Sequence, residues 1–379
     1  MKTYKIIAVI LFVVFLITDS AFAKIPAFAR KYGYSCKTCH NPFPRLKAYG
    51  NDFAAAGFKE KEEPRSAYKD SGDDKLTLMR DLPLSLRMDV YFQYNSGSEV
   101  KTDLKTPYIL KLLSGGHIAP NIGYYLYFFF SERGEVAGIE DAFLHFSNLF
   151  GTGLDVIAGQ FQVSDPLLKR ELRLTYEDYM LYKIKPGFSN ANLTYDRGLV
   201  FTYGLPSHTD LTFQILNGNG KPEADEEHNF DTDSEKAFAF RVSQEAKFFR
   251  VGGFYYYAKE TLNSRKNTVK WYGPDITVGN DVFNFEYQYL IRKDNNPWFL
   301  SNPLNNEIKS QVAEFTYKPK GDESDWYSVL LYNKIQNEYE SFTANYIYMV
   351  RRNVKFLVEF TRDIQFKKNR LIVGLISGF

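Results

Sequence analysis

Between Leu84 and Tyr94 the chain alternates with a period of two. Leu84, Leu86, Met88, Val90, Phe92 and Tyr94 fall on one side of an extended strand, and Ser85, Arg87, Asp89, Tyr91 and Gln93 on the other. A strand with one apolar and one charged face is what a wall between lipid and a polar lumen requires. The pattern recurs where Phe238, Phe240 and Val242 alternate with Ala239, Arg241 and Ser243. It recurs again where Phe283, Phe285, Tyr287 and Tyr289 alternate with Asn284, Glu286 and Gln288.

Composition supports that reading. The chain is 17% aromatic, with 33 Phe and 28 Tyr, yet its mean hydropathy is negative. Beyond the N-terminus no stretch approaches the roughly 18 apolar residues of a membrane helix, which excludes a helical membrane protein. A soluble β-sandwich or propeller would not explain full charges such as Arg87, Asp89, Arg241 and Glu286 opposite a strongly aromatic face. The expected fold is mainly β: a transmembrane antiparallel β-barrel, preceded by a small segment of short helix and loop. About 300 residues, at roughly 10 per strand plus turns, make about 16 strands. The final strand, with Leu371, Val373, Leu375, Ser377 and Phe379, ends on an aromatic residue that resembles the assembly signal of bacterial outer-membrane barrels. The net charge of +2 gives no support for nucleic acid as a partner.

Four regions follow. Residues 1–23 have a basic start, an apolar centre from Ile6 to Ile17 and a small-residue exit, Ala21-Phe22-Ala23, the pattern of a cleavable signal peptide. Residues 24–60 read as loop and short helix, with Ala48 to Ala56 ended by Gly57. Residues 61–80, rich in Lys, Glu, Asp, Pro and Ser, form a hydrated linker, and residues 81–379 are the barrel.

The chain's two cysteines stand in one run, Cys36-Lys37-Thr38-Cys39-His40. In c-type attachment two thiols add to the haem vinyl groups and the adjoining histidine becomes the proximal iron ligand, so the three must be close in sequence. A redox dithiol should sit in a βαβ unit, which the pattern does not show. A Cys₂His₂ zinc site needs a second histidine nearby, whereas the next is His117. One covalently bound haem c is expected on Cys36, Cys39 and His40, with a plain disulfide or a metal site as the alternatives. A segment this small buries little core alone, so a cross-linked haem would supply much of its interior.

Pro26, Phe28, Ala29 and Arg30 before this motif, and Phe43, Pro44, Leu46, Tyr49, Gly50, Phe53, Gly57 and Phe58 after it, resemble the fused cytochrome-porin family. These are outer-membrane monohaem cytochromes whose best-known members oxidise extracellular ferrous iron. The sequence resemblance covers roughly the first fifth of the chain. It departs at Lys31-Tyr32, where iron-oxidiser sequences tend to carry Gln-Thr. It implies a haem domain joined to a pore in the bacterial outer membrane, with the haem segment on the periplasmic side or within the barrel. The implied task is electron transfer from extracellular iron, or another external redox partner, to a periplasmic cytochrome or other soluble carrier. The alternatives are a diffusion porin with a structural or sensory haem plug, and an outward conduit to external acceptors. A possible iron(II)-oxidising cytochrome is the one enzyme class implied; nothing resembles a hydrolytic triad or a nucleotide fingerprint.

The sixth iron ligand is less legible. Met79, before the first barrel strand, is the first candidate among methionines, while parity puts Met88 on the lipid side. His117 and His145 share faces with polar residues and read as ordinary lumen residues before ligands. Asp165 to Arg173 interrupts the strand rhythm and could fold inward as a constriction or stay outside. Glu223 to Glu235 offers carboxylates for hard cations or ferrous iron, though acidic loops are more often simply solvated.

Overall fold

The computed structural model describes residues 27–60, 68–73, 75–80, 83–231 and 233–379; the expected signal peptide lies outside these residues. Three short helices come first: α1 (Ala27–Tyr32), α2 (Cys36–Cys39) and α3 (Ala48–Ala55). Within the expected linker, β1 (Tyr68–Lys69) pairs with β2 (Leu78–Met79).

The barrel strands are β3 (Leu84–Asn95), β4 (Thr102–Ala119), β5 (Ile122–Glu132), β6 (Gly138–Leu149), β7 (Leu154–Gln162), β8 (Tyr195–Leu205), β9 (Thr209–Leu216) and β10 (Ala237–Ala246). They continue as β11 (Phe249–Leu262), β12 (Arg265–Gly279), β13 (Phe283–Asp294), β14 (Asn306–Tyr317), β15 (Trp326–Ile335), β16 (Tyr339–Arg351), β17 (Val354–Asp363) and β18 (Lys368–Gly378). These 16 strands close into one antiparallel barrel, as the alternation predicts, with β18 paired to β3. Closure satisfies every strand edge, the condition for crossing a bilayer with strands.

The parity holds in space. Phe238, Phe240, Val242, Phe283 and Phe285 are exposed on the outside, while Ala239, Arg241, Ser243 and Gln288 are buried within. Tyr317 and Trp326 on neighbouring strands, ring centroids 6.0 Å apart, and Tyr346, 5.6 Å from Trp326, form part of an outer aromatic girdle near the end that carries Phe379. There the backbones of Leu86 and Phe379 exchange two hydrogen bonds.

The connections sort by end. On the terminus side most are tight, such as the turn between Ala119 and Ile122, where Asn121 adopts positive φ. The exception is residues 318–325, which carry a 3-10 turn at Gly321–Glu323. The long connections, 163–194 and 217–236, lie at the opposite end. Short turns on one side and long loops on the other is the asymmetry of bacterial porins.

Candidate functional site

The Cys-x-x-Cys-His segment docks at the terminus-side mouth of the barrel. The Ala27 amide donates to Ser85 Oγ at 2.8 Å, and Arg30 donates to the Leu84 carbonyl at 2.7 Å. Phe28 stacks on Phe58 at 5.4 Å and meets Phe53 edge-on at 5.1 Å; Phe58 in turn stacks on Tyr125 of β5. These rings give a short segment the apolar interior it cannot build from its own helices.

Helix α2 places Cys36 and Cys39 one turn apart as free thiols, and His40 follows with its amide donating to the Cys36 carbonyl at 3.0 Å. The His40 Nδ1 lies 2.8 Å from the Pro44 carbonyl and 3.2 Å from that of Arg45. A carbonyl can only accept, so Nδ1 carries the proton and Nε2 keeps a lone pair, the arrangement of a metal-ligating histidine held by its outer hydrogen bond. Burial pushes the imidazole down to about 4 against these two bonds, so it is neutral at neutral pH. Burial also raises both thiols, the reverse of the acidic thiol of a redox dithiol.

The barrel completes the site. Lys318 donates to the Asn41 carbonyl at 3.3 Å, and Tyr327 and Lys355 donate to that of Phe43 at 3.3 and 2.9 Å. Lys47 pairs with Asp322 at 2.8 Å and Lys37 with Glu323, so the long terminus-side turn grips the segment. Between segment and wall lies an open cleft, bordered by Cys36, His40, Phe43, Tyr327, Met349 and Arg352. Cys36 and His40 border this cleft and Cys39 lies one helical turn from Cys36, so the three could hold a haem c at this mouth. Lys318 and Arg352, which also border the cleft, offer cations for its acidic substituents.

A second element enters from the opposite end. Residues 163–194, including the charged stretch from Asp165 to Arg173, fold inward and cross the lumen. Leu181, Tyr182 and Leu193 join Tyr256, Trp271 and Leu290 of the wall in one apolar core. The fully buried Arg292 fixes the returning limb, donating to the Ile184 and Ala191 carbonyls at 2.6 and 2.8 Å while its Nε pairs with Asp294 at 2.7 Å. Glu359 of β17 accepts from the Tyr176 and Glu177 amides at 2.6 and 2.9 Å. On the far side of Lys355 a narrow polar cavity remains, where Arg87, Arg173 and Lys355 face Asp89, Glu132 and Glu171.

Loop and segment meet at Arg45, which pairs with Glu286 at 2.6 Å and with Glu314, and donates to the Tyr179 hydroxyl at 3.0 Å. Tyr179 also donates to Glu314 at 2.8 Å.

Met79 lies on β2 against Gly116 of β4, its sulfur 3.0 Å from where a Gly116 Cβ would stand, and does not border the cleft at His40. His117 and His145 are buried on the lumen side. His117 hydrogen-bonds Tyr68, and His145 sits 3.7 Å from Asp155. In the acidic stretch Asp225 accepts from the Glu227 and Asn229 amides, Asp233 accepts from the Thr261 amide, and Asp231 and Glu235 pair with lysines. Among the described residues no group of three or more His, Cys, Asp or Glu could hold a metal ion. Sequence reading passed over Arg45, Arg292 and Met349. Parity was the available signal for two of them: Arg292 alternates with outward Ile291 and Lys293, and Met349 with outward Tyr346 and Tyr348.

Barrel closure, the asymmetric ends and the inward loop define a porin-like β-barrel. The fold is similar to that of the anion-selective porin from Comamonas acidovorans, with a TM-score of 0.57 at 11% identity over 78% of this chain and 98% of that one. It is also similar to OmpF of Salmonella typhi, solved in complex with daunomycin, with a TM-score of 0.55 at 11% identity over 79% and 98%. The loop L8 deletion mutant of Vibrio cholerae OmpT gives 0.54 at 10% identity over 78% and 98%. No protein-family description matches the sequence, and no curated protein matches it.

Proposed function

We propose that this chain is an outer-membrane electron-transfer protein that holds one haem c at the periplasmic mouth of a porin-like barrel. Its electrons would come from extracellular ferrous iron and leave to a periplasmic cytochrome. The observation that carries the reading is His40, neutral, oriented through Nδ1 by the Pro44 carbonyl, and bordering the same cleft as Cys36. When bound, such a haem would accept and release one electron. Cys36 and Cys39 would tether it, and His40 would present Nε2 to the iron. Phe43, edge-on to the His40 ring at 4.9 Å, limits rotation of the imidazole. The segment and the inward loop would narrow the lumen around such a haem while the lipid wall stays intact.

Solute diffusion is a second reading, and the likeness to porins backs it more directly than it backs electron transfer. A residual path would run through the cavity beside Arg87, Arg173 and Lys355.

The test is an optical spectrum of the purified, detergent-solubilised protein before and after anaerobic addition of ferrous iron, with Cys36→Ala/Cys39→Ala as the haem-free control. Rapid appearance of the reduced α-band supports electron uptake from iron. A haem that stays oxidised with iron but reduces with dithionite would remove iron as donor. A protein without covalent haem that still conducts solutes would leave the diffusion porin.

A further inference from the structure

The haem segment offers a proximal ligand but no thioether or second imidazole of its own. The cleft beside His40 is bordered instead by the barrel wall, and Met349 of β16 is one of its lining residues. The other methionines of the described residues lie elsewhere: Met79 against Gly116, Met88 on the lipid-facing side of β3, and Met180 in the inward loop. None of the histidines besides His40 borders the cleft.

The local backbone is built to aim this side chain. Tyr346 and Tyr348 point outward and are exposed, so Met349 points into the lumen, where it packs against the cluster containing Tyr327 and Ile347. The β16–β17 register, Met349 opposite Lys355, breaks at this point and resumes with Arg351 opposite Val354. An irregularity of this kind re-aims side chains next to functional sites. The Met349 amide donates to the Asp325 carbonyl at 2.7 Å, tying the strand end to the turn that grips the segment through Asp322 and Glu323.

We propose that Met349 is the distal ligand of the haem iron, so that the segment supplies one axial ligand and the barrel wall the other. This rests on the reading that Cys36, Cys39 and His40 hold a haem c. A thioether opposite histidine raises the reduction potential relative to a second histidine. The barrel would therefore set the potential, and docking of the segment would be a condition for the functional redox state.

The test compares wild type with Met349→Leu, which keeps the volume and apolar character of the side chain, and with Met79→Leu as control. Each is assayed for covalent haem by in-gel haem staining, for the near-infrared charge-transfer band of an iron(III)–thioether bond, and for midpoint potential. The expected result is haem in all three, the band in wild type and Met79→Leu, and its loss with a lower potential in Met349→Leu. A haem-bearing wild type without the band, or a band that survives in Met349→Leu, overturns the assignment. Absence of covalent haem from wild type overturns the haem reading itself, and the ligand assignment with it.

Discussion

The guanidinium of Arg45 lies 2.6 Å from the carboxylate of Glu286 on β13. This contact joins the Cys-x-x-Cys-His segment to the barrel wall at the point where the inward loop also arrives. One cation there serves two carboxylates, Glu286 and Glu314. Burial works against the Arg45 charge, but the two acids more than offset it and hold the guanidinium protonated.

Replacing Arg45 with Met leaves both acids inside the lumen without their cation. Breaking such a buried pair from one side costs on the order of 3–5 kcal/mol. The expected outcome is an intact, heat-modifiable barrel whose N-terminal segment becomes sensitive to protease added from the terminus side. A segment as resistant as in wild type would show that the pair does not anchor it.

Gly50 of α3 sits on the carbonyl of Cys39, and a Cβ there would stand 2.3 Å from that oxygen. Gly50→Ala should displace α3 from the Cys-x-x-Cys-His turn, where the Lys47 amide also donates to the Cys39 carbonyl at 2.9 Å. In-gel haem staining of the variant, normalised to barrel protein, should fall several-fold. Undiminished staining would mean that attachment tolerates this shift.

Asp178 in the inward loop accepts from Arg170 at 2.7 Å and from Arg133 at 3.2 Å, with Lys183 also paired to it. Asp178→Asn keeps the shape and removes the charge that all three face. The loop should loosen by about 3 kcal/mol, chiefly through the buried Arg170 pair, since Arg133 is well exposed. Single-channel recordings in planar bilayers should show a larger or noisier conductance than wild type.

The same residue sets a pH dependence. Burial alone would raise its carboxyl, but Arg170, Arg173 and Lys183 outweigh that and hold it well below the usual carboxylate range. A depressed folded value contributes stability that is present above the unfolded value of about 3.9 and lost as pH falls through the lower folded value. Amide hydrogen exchange in residues 170–184 should stay protected down to about pH 4 and rise below it. Asp178→Asn should flatten that acid step, whereas an unchanged step in the variant would assign it to another group.

Much of the architecture is legible along the chain. Alternation from Leu84 to Tyr94 and from Phe283 to Tyr289 reports a barrel wall because strand geometry converts sequence parity directly into inside and outside. The Cys36, Cys39 and His40 set is equally local: α2 brings the thiols together within one turn, and the His40 bonds to Pro44 and Arg45 close within the same loop. Met79 illustrates the limit. Nearness in sequence favoured it, but β1–β2 pairing carries it to Gly116, away from His40.

What the sequence determined by itself was therefore whatever short-range pattern encodes: strand faces, strand number and the local Cys-x-x-Cys-His turn. Tertiary structure alone decided that residues 163–194, with Asp165 to Arg173 among them, turn inward, because that choice depends on Arg292 and Glu359 from distant strands satisfying the loop's polar backbone. It also decided that Met349, rather than Met79, faces the cleft beside His40. Barrel closure, which brings β16 against a segment near the N-terminus, is a long-range event, and no local pattern records its partners.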